Sequence, residues 1–230
     1  MKDKSIINEM RLKKRNLLKS SFQNIQVKTF CRLINKYITS ISPTVLEIGC
    51  SYGFWLNILS LNYKFKLYGV DIYNSIAPSL QNKITFIQSD GCNLPFKDNT
   101  FDMVYSIDVI EHILDDILFL SENYRVLKNN GIAVLGTPNK MRLSAIIKLL
   151  LLHPNKYPLK IKDQIFGSVT HIREYTFKQL LGLIKKTKFQ IMEILPIYLG
   201  FTQYFDKIYW AYPKSVFKYF SQFWFVVLKK

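Results

Sequence analysis

The sequence predicts an α/β fold, a mostly parallel sheet with helices on both faces, and three observations carry the prediction. Short β-branched and aliphatic runs alternate with helical stretches between Pro43 and Pro138. The runs end in turns that carry a glycine or an acid. At 230 residues and 49% hydrophobic content the chain can bury one substantial core, so one domain is expected over residues 1–230.

The elements follow in order. Residues 5–38 alternate apolar and basic positions at helical spacing (Leu12, Leu17, Leu18, Phe22, Ile25, Phe30, Leu33, Ile34, Tyr37) and predict one or two amphipathic helices. Residues 44–48 form a first strand that runs into a glycine turn, and residues 54–61 read as helix. The unit repeats with a strand at 65–71, a short helix at 75–81 and a strand at 84–88. A fourth strand at 101–106, a helix at 115–127 and a fifth strand at 131–137, closed by Pro138, complete the alternation. It then stops for about thirty residues, until Thr176 caps a helix over 177–186. A sixth strand is expected at 189–195 and a last one at 223–228, with a tyrosine- and phenylalanine-rich stretch at 198–220 between them. The domain therefore divides into an N-terminal helical lid (1–40), a cofactor-binding core (41–139), an insertion or cap (140–172) and the C-terminal part of the sheet with its aromatic insertion (173–230).

Charge and cysteine content narrow the setting. A formal charge of +16 suits an anionic partner such as nucleic acid, a phospholipid surface or a phosphorylated substrate. Lysine far outnumbers arginine, however, and isoleucine and asparagine are plentiful, so biased composition spread over solvated faces explains the same excess. Cys31, Cys50 and Cys92 are widely spaced with no CxxC pair, which argues for reduced thiols. Residues 1–20 are studded with lysine and arginine and lack the apolar core of a signal peptide. The longest apolar stretch elsewhere, residues 143–152, is interrupted by Lys148 and is half the ~20 residues a spanning helix needs. The expectation is a cytoplasmic protein. The apolar 143–152 run beside Lys140, Arg142, Lys148 and Lys156 also has the composition of an interfacial patch, which leaves peripheral contact with a membrane surface open beside a lid or plain core.

Ligands of open parallel sheets bind at the carboxyl ends of the strands, so the turns there carry the functional expectation. After the first strand comes Glu47-Ile48-Gly49-Cys50-Ser51-Tyr52-Gly53, where small residues let the backbone approach a ligand and the following helix N-terminus favours a carboxylate. Asp71 ends the second strand, placed to accept hydrogen bonds from a ribose diol. Beyond the third strand, Ser89-Asp90-Gly91 offers an acid for an adenine amino group. A glycine turn and a later acid also occur in nicotinamide-dependent enzymes. There the fingerprint is GxGxxG, whereas Gly49 and Gly53 bracket Ser51 in a GxSxG frame preceded by an acid.

Residues 44–138 closely resemble the class I S-adenosylmethionine-dependent methyltransferases, with Glu47–Gly53 as the glycine-rich motif, Asp71 as the ribose acid and Asp90 as the adenine-contacting acid. The resemblance continues through Asp90–Phe96, Asn99–Asp102, Val109–Ile113, Thr137–Asn139 and His171–Thr176. That string is similar to the subgroup of ubiquinone-biosynthesis, natural-product and glycan O-methyltransferases. Ser51, where the family often has glycine, is the one departure within the glycine motif. The resemblance implies a Rossmann-like seven-stranded sheet whose last strand, at 223–228, is antiparallel and inserted beside the sixth. It implies S-adenosyl-L-methionine as cofactor, held by Glu47, Gly49, Cys50, Ser51, Gly53, Asp71, Ile72, Asp90, Gly91 and Ser106.

In-line transfer from a sulfonium needs mainly orientation and a dry site. An oxygen acceptor gains from a base, and His112, Asp108 and His171 are the catalytic candidates. Asp108, Glu111 and His112 lie at DxxEH spacing, which in ubiquinone-type relatives can bind a divalent metal. The Glu-His pair is also widespread in the family without metal, so none is expected. The acceptor expected is an oxygen of a small molecule, a lipid-linked intermediate or a glycan. The rivals are an RNA or other nucleic-acid methyltransferase and a cofactor-binding subunit without turnover. The base-methylating Asn/Asp-Pro-Pro-aromatic signature is missing, since Ser106-Ile107-Asp108-Val109 stands in its place.

Overall fold

A computed structural model describes residues 21–150, 171–200 and 209–230. The sheet is seven-stranded in the order β3-β2-β1-β4-β5-β9-β6. Its strands are β1 (Thr44–Ile48), β2 (Lys66–Asp71), β3 (Thr85–Gln88), β4 (Phe101–Ile107), β5 (Leu127–Pro138), β6 (Gln190–Ile197) and β9 (Phe223–Lys229). A separate two-stranded ribbon pairs β7 (Leu199–Gly200) with β8 (Tyr209–Trp210). β1 is parallel to both β2 and β4, β3 is parallel to β2, and β5 to β4. The last strand, β9, runs antiparallel between β5 and β6, as the family resemblance implies.

Helices cover both faces because successive residues of each central strand point to opposite sides. On one side α1 (Ser21–Tyr37) and α2 (Phe54–Asn62) pack against Val45, Tyr105, Val134, Phe223 and Phe225. Phe30 of α1 meets the Tyr105 ring at 4.9 Å and the Trp55 ring at 5.1 Å. On the other, α3 (Asp116–Val126) and α5 (Phe177–Ile184) cover Leu46, Val104, Leu135, Trp224 and Val226. Polar groups fix the helix starts. The Asp115 carboxylate accepts from the Leu118 amide, and Thr176 forms a reciprocal capping box with Gln179.

Two local expectations are corrected. The helix predicted at 75–81 is only a 3-10 turn, Pro78–Leu80, because Ala77 precedes a proline and takes an extended backbone. The fifth strand starts at Leu127, ahead of the predicted Gly131, and its register against β4 shifts between Phe101 and Met103. The amphipathic pattern of residues 5–38 gives α1 from Ser21 onward; its first part lies outside the described residues, as do 151–170 of the expected insertion and 201–208 of the aromatic stretch. Within the insertion, Leu143–Leu150 forms α4. Among the described residues, no helix is long and apolar enough to cross a membrane.

Phe225 is fully buried in the strand that joins β6 to the rest of the sheet. Truncation to alanine should cost about 3–5 kcal/mol. Urea unfolding should show this as a lower midpoint at unchanged slope.

Candidate active site

The site begins where β1 leaves the sheet. β1 is buried from Val45 to Ile48, so the chain must turn sharply at its end. Gly49 and Gly53 do so with φ of +74° and +86°. A Cβ at Gly49 would come within 2.4 Å of a Val109 methyl, so the close approach of this turn to the β4 loop also requires glycine. The amides of Gly49 and Cys50 both donate to the Val70 carbonyl of β2, at 2.8 and 3.1 Å. Ser51, also in the left-handed region at φ 47°, donates its amide to the Asp71 carboxylate at 2.8 Å. The other Asp71 oxygen accepts from the Tyr73 amide at 3.1 Å.

A cavity of about 300 Å³ opens over this turn. Glu47, Gly49, Cys50, Ser51, Tyr52, Phe54 and Trp55 border it from the β1–α2 segment, Ile107 and Asp108 from the end of β4, and Gln23, Gln26 and Val27 from α1. Asp71, Ile72, Asp90 and Gly91 are outside its lining but at the same sheet edge: β3 pairs with β2 up to Asp71 and Gln88, and the Ser89 amide donates to the Asp71 carbonyl at 3.0 Å. Asp90 is exposed and accepts from the Cys92 amide at 2.8 Å. Gly91 is buried, with Ile48 and Phe119 side chains within 2.9 Å of where a Cβ would stand. The three strand ends are thus adjacent, with the glycine turn at the cavity and the two acids beside it.

Glu47 is the buried charge centre of the cavity. Its carboxylate accepts from the Tyr105 hydroxyl at 3.0 Å, and Tyr105 is its register partner on β4. Desolvation pushes the Glu47 carboxyl well above its ordinary range, and the nearby Asp71 charge adds to the rise. Burial also lifts the Cys50 thiol, which keeps it protonated. Ser106 is buried on β4, and its hydroxyl has no hydrogen-bond partner among the described residues.

A second cluster lies past the end of β4. Asp108 adopts a left-handed backbone, φ 58°, in a 3-10 turn approach that continues through Ile110–His112. Its side chain reaches water at the cavity border, yet the enclosing protein desolvates its carboxyl and lifts it to about 6, against the downward pull of His171. The Glu111 carbonyl accepts from the amides of Ile172 and Arg173 at 3.1 and 3.3 Å. That backbone contact brings His171 edge-on to His112, with ring centroids 4.9 Å apart. His171 Nδ1 lies 2.8 Å from Glu174 Oε1, and Glu174, itself buried, is also paired with Arg142. The Glu111 side chain is buried; one oxygen accepts from Thr137 Oγ1 at 3.1 Å and the other has no hydrogen-bond partner among the described residues. Ligand atoms of Glu111, His112 and His171 all lie within 4.8 Å of one another, a spacing that admits a cation, whereas Asp108 of the DxxEH spacing is not in that set.

Sequence reasoning missed Gln23, Gln26 and Trp55 as cavity residues and Tyr105, Arg142 and Glu174 as partners. Tyr105 was accessible only through the β1–β4 register, and no spacing links Arg142 to Glu174.

The sequence profile of a methyltransferase-domain family matches residues 46–135, the stretch that holds the glycine turn, both acids and the β4 loop. Over those residues the chain is similar to methyltransferase domains. An uncharacterised protein of Methanocaldococcus jannaschii is 34% identical over 134 residues, 57% of this chain and 56% of its own length. A protein of Mycolicibacterium smegmatis named a probable S-adenosylmethionine-dependent methyltransferase is 25% identical over 160 residues, 68% of this chain and 55% of its own. The chain therefore spans about half the length of these curated relatives. The methyltransferase fold also extends beyond the profile. A Thermotoga maritima S-adenosylmethionine-dependent methyltransferase, described as a possible histamine N-methyltransferase, superposes with a TM-score of 0.65 at 17% identity, over 96% of this chain and 95% of that one. Family and fold imply S-adenosylmethionine as the cofactor. The described residues fit it: among them are a buried acid with no cationic partner, a buried hydroxyl with no hydrogen-bond partner, and a glycine turn with room above it.

Burial raises the Glu111 carboxyl well above its ordinary range, helped by the Asp108 and Glu174 charges. A carboxyl whose folded value is raised stabilises the fold fully below its unfolded value, about 4.3. That contribution is lost as pH climbs toward the folded value. Glu111→Gln keeps the shape without the ionisable group, so at pH 8 it should melt higher than the parent by a few degrees, about 1–3 kcal/mol. Below about pH 4 the two should coincide. Melting curves across pH check both arms.

Proposed function

We propose that the chain is an S-adenosylmethionine-dependent enzyme that methylates an oxygen of a small molecule, lipid-linked intermediate or glycan. The observation that carries the reading is the cavity over the glycine turn and buried Glu47, with the His171–Glu174 pair near Asp108 at its border. In this reading the chain acts as one domain, with residues 1–40 as lid and 140–172 as cap. Gln23, Gln26 and Val27 of α1 already border the cavity.

The bound cofactor would supply a methyl group on a sulfonium, whose departure leaves a neutral thioether. The Gly49–Gly53 turn, with Cys50 and Ser51, and the Glu47 carboxylate would hold its amino acid end, Asp71 its ribose hydroxyls, and Asp90, Gly91 and Ile72 its base, with Ser106 as a further polar contact. A cationic group beside Glu47 favours the ionised carboxylate, so cofactor binding releases a proton there and tightens as pH rises toward the raised Glu47 value.

His171 is the proposed base. Arg142 pairs with Glu174, the Glu174 carboxylate accepts from Nδ1–H, and Nε2 is left as the ring's acceptor for an acceptor hydroxyl proton. Glu174 is a positioning residue, since it acts through the imidazole. His112, packed against the His171 ring, and Asp108 at the cavity border would complete the polar side of the acceptor site. The reading uses no metal.

Asp71→Ala should weaken S-adenosylmethionine binding at least tenfold by calorimetry, since it removes both the diol acceptor and the partner of the Ser51 amide. Undiminished binding would remove the cofactor assignment. The second test transfers labelled methyl into small-molecule, lipid, glycan and nucleic-acid fractions of an extract. Label in the first three, with His171→Gln lowering kcat about 10²–10⁴-fold at unchanged cofactor affinity, is expected for a base. Label confined to RNA, or a rate that follows added divalent metal, would replace this reading.

A further inference from the structure

We propose that the flank built from α4, the β7–β8 ribbon and the 3-10 turn Ser215–Phe220 docks on an anionic phospholipid bilayer. This goes beyond the proposed reaction, because it concerns a surface outside the cavity and holds whatever the acceptor is.

The flank is one surface. β7 packs against both α4 and the 3-10 turn, and the turn is tied to the end of β5 by Asn139, whose side-chain amide donates to the carbonyls of Tyr219 and Ser221 at 2.8 Å each. It faces water with large apolar groups. Trp210 is 47% exposed, Val216 57%, Phe217 49% and, at the end of α4, Leu150 74%. The rings of Trp210 and Phe217 lie 5.7 Å apart, so the two half-exposed aromatics form one outward-facing cluster instead of scattered single residues. Clustered exposed apolar area marks an interaction surface. Tryptophan and tyrosine beside lysine are the residue types that sit at a bilayer–water boundary.

Charge decides the occupant. Lys214 is exposed, and Lys218 lies over the rings of Phe177 and Tyr219 at 5.7 and 5.1 Å. The described residues of the flank, 139–150, 199–200 and 209–220, contain lysine and arginine but no aspartate or glutamate, so this part of the surface is cationic. A second copy of the chain meeting this face about a twofold axis would set lysine against lysine. Nucleic acid would take up the cations but would leave Val216 and Leu150 in water. An anionic bilayer surface satisfies both, with headgroups at the lysines and acyl chains under the apolar side chains. The position is also productive. α4 starts just past Pro138, at the carboxyl end of β5, so a bilayer on this flank faces the sheet edge that carries the cavity.

Co-sedimentation of the full chain with vesicles tests this, using phosphatidylcholine alone and phosphatidylcholine mixed with phosphatidylglycerol. Binding is expected only to the anionic vesicles, to fall with added salt, and to shift tryptophan emission to the blue. Lys214→Glu and Lys218→Glu should each weaken it about fivefold or more. Trp210→Ser with Phe217→Ser should abolish the residual binding while cofactor affinity by calorimetry stays at the parental value, which shows the variant folded. Equal binding to neutral vesicles, no vesicle binding, or vesicle binding indifferent to these four substitutions would overturn the proposal. So would a concentration-dependent dimer, or a complex with single-stranded RNA, that the same substitutions dissolve while vesicles are ignored.

Discussion

The hydrogen bond from the Ser51 amide to the Asp71 carboxylate is the contact on which the rest of the site depends, because it joins the exits of β1 and β2. β1 lies between two parallel partners and is buried along its length, so its chain has no lateral way out. It leaves through two positive-φ glycines and a serine in the same unusual region, and each of those conformations is held by what it meets across the sheet edge. Val70 takes the amides of Gly49 and Cys50, Asp71 takes that of Ser51, and Val109 closes the space beside Gly49. The cavity is the volume that remains when a buried strand turns this tightly.

The polar groups around that cavity are arranged by burial more than by direct pairing. Glu47 sits beneath the turn with a tyrosine hydroxyl as its charge-stabilising side-chain partner, and desolvation pushes its carboxyl above the ordinary range. The Ser106 and Glu111 oxygens without a hydrogen-bond partner among the described residues likewise stay buried, at a free-energy cost to the fold. Such costs are tolerated where a ligand or a reaction relieves them. The histidine pair differs, because it is held by direct bonds. A single backbone carbonyl, that of Glu111, receives the 171–173 segment and so sets His171 against His112. The Arg142–Glu174 pair then orients the His171 ring from behind.

Much of the core was legible along the chain. Alternating strands and helices, the glycine frame at 49–53, the acids at 71 and 90 and the Thr176 cap are local features, and each sits where local chemistry places it. The short helix at 75–81 failed because one proline outweighed the apolar spacing around it, and the fifth strand began early because packing recruited residues that look like a turn.

By itself the sequence determined the fold class and the family resemblance. These rest on periodicity and on turn residues whose backbone requirements are the same in any context. Only the tertiary structure decided that Tyr105 faces Glu47, that α1 walls the cavity, and that Arg142, Glu174 and His171 form one chain of contacts. The Tyr105–Glu47 and Arg142–Glu174 pairings join residues 58 and 32 positions apart, and they come from strand register and from contacts between loops. Neither leaves a mark in the spacing of side chains along the chain.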